Sequence, residues 1–231
     1  MNSASYLARR GELETYFDRT AADAWKRLTS DSPVSGIRAT VRAGRDRMRA
    51  TLLSWLPADL TGRSLLDAGC GTGALAVEAA RRGARVTAID LSPTLVELAR
   101  TRAPAELGID FRVGDMADAQ LGRFDHVVGM DSLIHYRAPD MARVVAAFAA
   151  HTDASLLFTF APRTPLLSVM HAMGRLFPRA DRAPAIEPVT PARINRLLAT
   201  DATLAGVWST ARTQRIAGGF YTSQALELVR A

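Results

Sequence analysis

The sequence is poor in lysine, cysteine and histidine, and each shortage closes a route to function. Lys26 is the only lysine among 29 basic residues in a chain of 231, so no P-loop lysine is present to grip a nucleotide phosphate. Cys70 is the only cysteine, which rules out an internal disulfide and suits a reducing compartment. The four histidines, at 126, 135, 151 and 171, are scattered and form no metal-ligand cluster. No run of about 18 apolar residues exists, so no transmembrane helix is expected. Met1 to Arg10 lack the apolar stretch of a secretory signal, which makes a cytoplasmic location the expectation. Repeats and low-complexity tracts are also missing. The remainder is ordinary for one globular domain, with 48% hydrophobic and 23% charged residues. The formal net charge of +6 is carried by arginine. It reads either as a coding bias or as contact with anionic groups such as carboxylates, lipid headgroups or phosphates.

The chain is organised around Ser64 to Arg100. Leu65-Leu66 is a short apolar run closed by Asp67, and the glycine loop Gly69-Cys70-Gly71-Thr72-Gly73 follows. Leu75, Val77, Ala79 and Ala80 then suit a helix that ends at Arg81-Arg82-Gly83. Val86 to Ile89 reads as a second strand ending on Asp90. Such a strand–loop–helix–strand unit belongs to a parallel sheet, and ligands bind at the carboxyl ends of its strands. Glycines let the backbone turn sharply and admit a ligand where a Cβ would stand. Asp90 lies close to the roughly 20-residue spacing at which an acid reaches ribose hydroxyls.

Two nucleotide readings compete here. Gly69-x-Gly71-x-x-Ala74 fits the dinucleotide fingerprint in its Gly/Ala form. Asp67-x-Gly69-x-Gly71-x-Gly73 resembles motif I of the class I methyltransferases, which bind S-adenosylmethionine. Asp67 favours the second, because a carboxylate there could serve a charged amino-acid end but would repel a pyrophosphate. Gly114-Asp115-Met116, after the strand 109–113, resembles the segment that holds adenine in that superfamily, and the run from Phe124 to Met130 resembles its fourth strand. The resemblance implies a donor site at Asp67, Gly69, Cys70, Gly71 and Gly73, at Asp90 and Leu91, at Asp115 and Met116, and at Met130 and Asp131.

Residues 1–58 read as a helical N-terminal cap, with one stripe from Tyr6 to Leu28 broken near Asp18-Arg19-Thr20 and a second amphipathic helix from Ile37 to Leu56. Residues 59–231 read as the core. Strands are expected near 64–67, 85–90, 109–113, 124–130 and 154–160, and helices near 73–82, 93–102 and 139–150. A helix from Pro191 to Ala199 and strands over 204–216 and 219–229 close the chain. The fold class is α/β, Rossmann-like: a seven-stranded, mostly parallel sheet with a C-terminal antiparallel hairpin. Residues 161–188 interrupt the pattern with five prolines around a helical stretch, 166–177. This insertion reads as a lid over an anionic, apolar substrate, as a surface for lipid headgroups, or as a helix on the core. As a lid it would bring Arg163, Met170, Met173 and Arg175 to the substrate.

Segments outside motif I narrow the resemblance. Tyr16-Phe17-Asp18-Arg19-Thr20 with Trp25, Asp131 to Tyr136, Phe160 to Thr164, and Gly219 to Ser223 resemble the magnesium-protoporphyrin IX methyltransferases. That resemblance implies methylation of one propionate to the 13-monomethyl ester in (bacterio)chlorophyll synthesis, with S-adenosylmethionine as donor and magnesium arriving only within the porphyrin. It places the family's tyrosine and histidine on Tyr16 and His135, and Tyr221 among the substrate contacts. It also implies contact with the porphyrin-binding subunit of magnesium chelatase and a peripheral position at the photosynthetic membrane. A propionate is ionised at pH 7, so His135 would orient it, whereas a phenol would make His135 a base. The competing functions are a quinone or phenol O-methyltransferase and, from the basic charge, an RNA methyltransferase or nucleic-acid binder. No appended RNA-binding module supports the last, and no nucleic-acid partner is expected.

Overall fold

The computed structural model describes residues 3–20, 36–163 and 185–231. The lid helix expected over 166–177, with Met170, Met173 and Arg175, lies outside the described residues, as does Trp25.

Helix α1, Ala4–Thr15, starts at Ser3, whose hydroxyl accepts the Tyr6 amide at 3.2 Å as an N-cap. It buries Tyr6 and Leu13, two turns apart, and runs into a π-helical turn, Tyr16–Thr20. Helix α2, Ile37–Trp55, leaves Gly36 at φ 58° and ends before Pro57. The sheet then begins. Its strands are β1 (Ser64–Ala68), β2 (Arg85–Asp90), β3 (Asp110–Val113), β4 (Phe124–Gly129), β5 (Thr152–Phe160), β6 (Trp208–Gly218) and β7 (Tyr221–Arg230). Between them lie α3 (Ala74–Arg81), α4 (Pro93–Arg102), α5 (Ala138–Ala150) and α6 (Pro191–Thr200).

The strand order is β3-β2-β1-β4-β5-β7-β6. The first five strands are parallel, and β7 runs antiparallel to both neighbours. The chain winds outward from β1 through β2 to β3, then returns to place β4 on the other side of β1. The loops after β1 and β4 therefore diverge and open a crevice between them. Two apolar cores flank the sheet. One packs α1, α5 and α6 through residues such as Tyr6, Met141, Phe158 and Ile194. The other packs α2, α3 and α4 through Met48, Leu52, Leu75 and Val96. Both faces of the central strands are covered, which explains their continuous apolar runs.

The structure shortens one expected strand. Residues 202–207 form a turn closed by the Trp208 amide on the Leu204 carbonyl at 2.9 Å, so β6 starts at Trp208 rather than Leu204. As the outer strand β6 is largely exposed and carries Arg212 and Arg215, charges that discourage edge-to-edge pairing. Gly44 shows why α2 can lie so close to β7: a Cβ there would fall on the ring of Tyr221.

Candidate active site

The crevice between β1 and β4 deepens into a cleft whose empty space, open solvent included, is about 690 Å³. Its first wall is made of backbone. The amides of Gly69 and Cys70 donate to the Ile89 carbonyl at 2.8 and 3.0 Å, folding the loop back over β2. Gly69 stands at φ 82° with Ser132 against it, so neither the angle nor the space allows a side chain. Gly71, at φ 53°, has open space in front of it, a cradle that a Cβ would fill. Asp90 at the tip of β2 ties the loop down. Its Oδ2 accepts the Gly71 amide at 2.8 Å and its Oδ1 the Ser92 amide at 3.0 Å. Burial raises the Asp90 carboxyl, and those two amides oppose the rise. Leu91, Leu95 and Met116 add an apolar floor beside it.

The second wall is made of side chains. Asp131, just past β4, holds φ 54° and is the only non-glycine at positive φ among the described residues. Its Oδ1 accepts from Thr159 Oγ1, Tyr221 OH and Ser223 Oγ at 3.1 Å each. Its Oδ2 accepts from Tyr221 OH and from Arg45 at 3.0 Å. The short 3₁₀ turn Leu133–His135 follows and sets His135 against the cleft. The imidazole is 9% exposed, and Phe17 meets it edge-on at 5.8 Å between ring centroids.

The N-terminal arm closes the top. Tyr6 stacks on Tyr136 at 4.9 Å, and its hydroxyl donates to Asp115 Oδ1 at 2.6 Å. Arg10 reaches Asp115 Oδ2 at 2.9 Å. Asp18, in the π-helical turn, accepts the Thr94 amide at 3.1 Å and so shares the capping of α4 with Ser92.

Of the expected donor-site residues, the cleft brings together Gly69, Gly71, Asp90, Leu91, Asp115, Met116, Met130 and Asp131. Asp67, Cys70 and Gly73 do not line it. Asp67 is 2% exposed beneath the loop, and its carboxylate accepts the Ala76 amide at 3.1 Å. Burial, with the nearby charge of Asp90 adding to it, pushes Asp67 up to about 7. The strand tip thus points this acid beneath the glycine loop. Gly73 instead lets α3 approach Ala99 and Phe111.

Of the tyrosine and histidine expected to act on the substrate, His135 lines the cleft, whereas Tyr16 stands one ring back, edge-on to Phe17 at 5.2 Å. The π-helical turn rotates Phe17, not Tyr16, onto the wall. Tyr221, expected among the substrate contacts, is 8% exposed and donates to Asp131, and it is not among the residues that line the cleft. Arg163 is exposed beyond β5, outside the cleft lining. Sequence reasoning missed Arg45, Ser132 and Tyr136, all of which line the cleft. For Arg45 one signal was available: it falls on the helical face of Val41, Met48 and Leu52, three positions before a buried methionine.

Solved structures share this architecture. That of magnesium protoporphyrin IX methyltransferase from Synechocystis PCC 6803 with bound SAH matches at a TM-score of 0.83 and 31% identity, covering 96% of this chain and all of that one. Residues 65–154 match the model described as a methyltransferase domain. The fold is that of a class I S-adenosylmethionine-dependent methyltransferase. Residues 129–230 match the model of the magnesium-protoporphyrin IX methyltransferase C-terminus. The magnesium-protoporphyrin O-methyltransferase of Rhodobacter capsulatus is 48% identical over 227 residues, spanning 97% of this chain and 98% of that protein. Its counterpart in Synechocystis sp. is 32% identical over 224 residues, spanning 94% and 95%. The chain belongs to the magnesium-protoporphyrin O-methyltransferase family.

The residues present fit S-adenosylmethionine. The open cradle at Gly71 leaves room for a backbone-hugging ligand, Asp90 stands beside it at the tip of β2, and Leu91 with Met116 adds apolar surface. Ser132 Oγ, buried on a cleft-lining residue, makes no hydrogen bond among the described residues, so a polar group of a ligand fits beside it.

Proposed function

We propose that this cleft transfers a methyl group from S-adenosylmethionine to one propionate carboxylate of magnesium-protoporphyrin IX, giving the 13-monomethyl ester. The observation that supports it most is a mostly apolar cleft with a buried histidine on one wall and a nucleotide-type glycine loop on the other, in a chain of this family. When bound, S-adenosylmethionine supplies an electrophilic methyl group on a sulfonium. Gly69, Gly71 and Asp90 would hold its nucleoside, and Leu91, Met116 and Met130 would line its apolar surface.

The chain's own task is then alignment and exclusion of water. A propionate has a pKa near ~4.3 by comparison with glutamate and needs no base at neutral pH. His135, fixed by its 3₁₀ turn and by Phe17, orients the carboxylate through a ring N–H. Tyr6, Leu13 and Phe17 of the arm form an apolar roof that keeps water from the nucleophile. Tyr16, behind Phe17, supports that roof. The segment 161–188 serves as the lid over the macrocycle. Among the described residues no helix is long and apolar enough to cross a membrane. Peripheral membrane contact and transfer from the porphyrin-binding subunit of magnesium chelatase accord with an apolar, anionic substrate and a basic protein.

The test is incubation with methyl-labelled S-adenosylmethionine and magnesium-protoporphyrin IX, with the product located by mass spectrometry. One methyl ester per porphyrin is expected. Labelling of a phenol or quinone but not the porphyrin would overturn the assignment.

A further inference from the structure

The wall that carries His135 leaves β4 through a backbone conformation that an L-residue seldom adopts. Strand β4 ends at Gly129, and within two residues Asp131 takes φ 54°. Ser132 follows, packed so close to Gly69 that a Cβ on that glycine would fall 2.4 Å from the serine Cβ. The 3₁₀ turn Leu133–His135 begins at the next residue, with Leu133 fully buried and the Tyr136 amide closing on the Leu133 carbonyl at 3.1 Å. The direction of His135 is therefore fixed by the burial of Leu133 and by the left-handed angle at Asp131. Thr159 holds that angle. It lies on β5 between Phe158 and Phe160, is fully buried and does not line the cleft. A hydroxyl there costs stability unless it is hydrogen-bonded. Its Oγ1 accepts the Asp131 amide at 2.7 Å and donates to Asp131 Oδ1 at 3.1 Å, so one hydroxyl grips both the backbone and the side chain of the strained residue.

We propose that Thr159 is a positioning residue for methyl transfer, acting through Asp131 to aim His135 into the cleft. Strained angles persist where the surroundings over-determine them, and here Tyr221 and Ser223 of β7 add two further hydroxyls to the same carboxylate. The clamp ties β5 and β7 to the turn that bears the histidine, and Thr159 itself meets no ligand in the cleft. Valine in place of Thr159 keeps the shape and strand propensity of the side chain but takes the acceptor from the Asp131 amide. Asp131 then relaxes from its left-handed angle, and the turn that ends at His135 shifts with it. The role rests on the reading of His135 as the group that orients the propionate.

Single-turnover methylation of magnesium-protoporphyrin IX by the full chain tests this with Thr159→Val and Thr159→Ser, each alone and combined with His135→Ala. Calorimetry with 5′-methylthioadenosine, which carries the donor's nucleoside without its amino-acid end, monitors the other wall. Thr159→Val is expected to slow the transfer about tenfold, the size of one hydrogen bond lost, and to leave methylthioadenosine affinity within about twofold. Thr159→Ser, which keeps the hydroxyl, should stay within about threefold of wild type. In the His135→Ala background Thr159→Val should cost less than about twofold, because the group it aims is gone. A second readout needs no turnover. The His135 side-chain resonance of the ligand-free protein, identified by its loss in His135→Ala, should move in Thr159→Val and not in Thr159→Ser. If the valine variant does not fold, Thr159→Cys, whose thiol is a weak hydrogen-bonding group, takes its place with the same expectations. The same loss of rate in both backgrounds, no recovery in Thr159→Ser, a parallel loss of methylthioadenosine affinity, or an unmoved resonance would each overturn the inference. A wild type that methylates no porphyrin would instead overturn the porphyrin reading, and the resonance would then decide the clamp alone.

Discussion

The two walls of the cleft are built by different kinds of bond. On the β1–β2 side the ligand surface is backbone: glycines at positive φ, amides folded onto the Ile89 carbonyl, and one acid, Asp90, pinning the loop. All of it lies within about 25 residues of sequence. On the β4 side the surface is held by side chains from afar. Asp131 gathers Arg45 of α2, Thr159 of β5, and Tyr221 and Ser223 of β7. A backbone wall tolerates little variation in position and suits a constant cofactor. A side-chain wall is set by whichever helices and strands surround it, and so can be shaped to one acceptor. The difference teaches that the backbone wall is broken by changes within the glycine loop, and the side-chain wall by changes on elements far away in sequence.

The largest effect should come from Gly71→Val. It fills the open cradle and forces a β-branched residue to φ 53°, so S-adenosylhomocysteine affinity should fall more than about 100-fold by calorimetry while circular dichroism keeps the native spectrum. Asp90→Ala should approach the same loss. Unchanged binding in both folded variants would break the distinction between the walls.

Asp67 sharpens it from the other side. Its folded pKa is raised, to about 7, so the folded state holds a proton that the unfolded chain releases near pH 4. Stability contributed by that proton is therefore lost as pH rises from about 4 through about 7. The shift corresponds to a few kcal/mol at most. Asp67→Asn keeps an acceptor for the Ala76 amide and removes the titration. It should be the more stable protein at pH 8, should show a flatter melting temperature against pH, and should bind S-adenosylhomocysteine within about threefold of wild type. A large loss of affinity would return Asp67 to the donor site.

Gly44→Ala tests the long-range wall. The added methyl meets the Tyr221 ring, an overpacking that costs about 1–3 kcal/mol and lowers the melting temperature by about 2–10 °C. Because Tyr221 holds Asp131, turnover should suffer more than methylthioadenosine binding. Arg163→Ala should do least: the side chain is exposed and off the cleft, so cofactor affinity should stay within about twofold, and a larger change would place it at the site after all.

The backbone wall was legible in the sequence because its signals are local. Glycine spacing, the acid at the tip of β2 and the apolar runs of buried strands all lie in one unbroken segment, and the parallel sheet follows from the alternation. What was not legible depends on distance or on orientation. Tyr6 and Asp115 are 109 positions apart, and Tyr221 and Asp131 are 90 apart, with no periodicity to link them. Asp67 and Asp90 are both acids at strand ends. Only the fold shows that one points under the loop and the other along it, since a strand buried on both faces has no alternation to read. Tyr16 and Phe17 are adjacent, and the π-helical turn decides which ring meets His135.

The central claim is that the side-chain wall orients an acceptor already ionised, with His135 as the orienting group. Single-turnover rates for wild type, His135→Gln and His135→Ala, measured across pH 5.5 to about 8.5, test it most directly. The expected result is partial retention of rate in His135→Gln, which keeps an N–H donor, and a larger loss in His135→Ala. The wild-type rate should not climb through the range near pH ~6.5 in which an ordinary histidine titrates. Equal and near-complete loss in both variants, with a wild-type rate rising through that range and no matching change in substrate binding, would contradict it and make His135 a base.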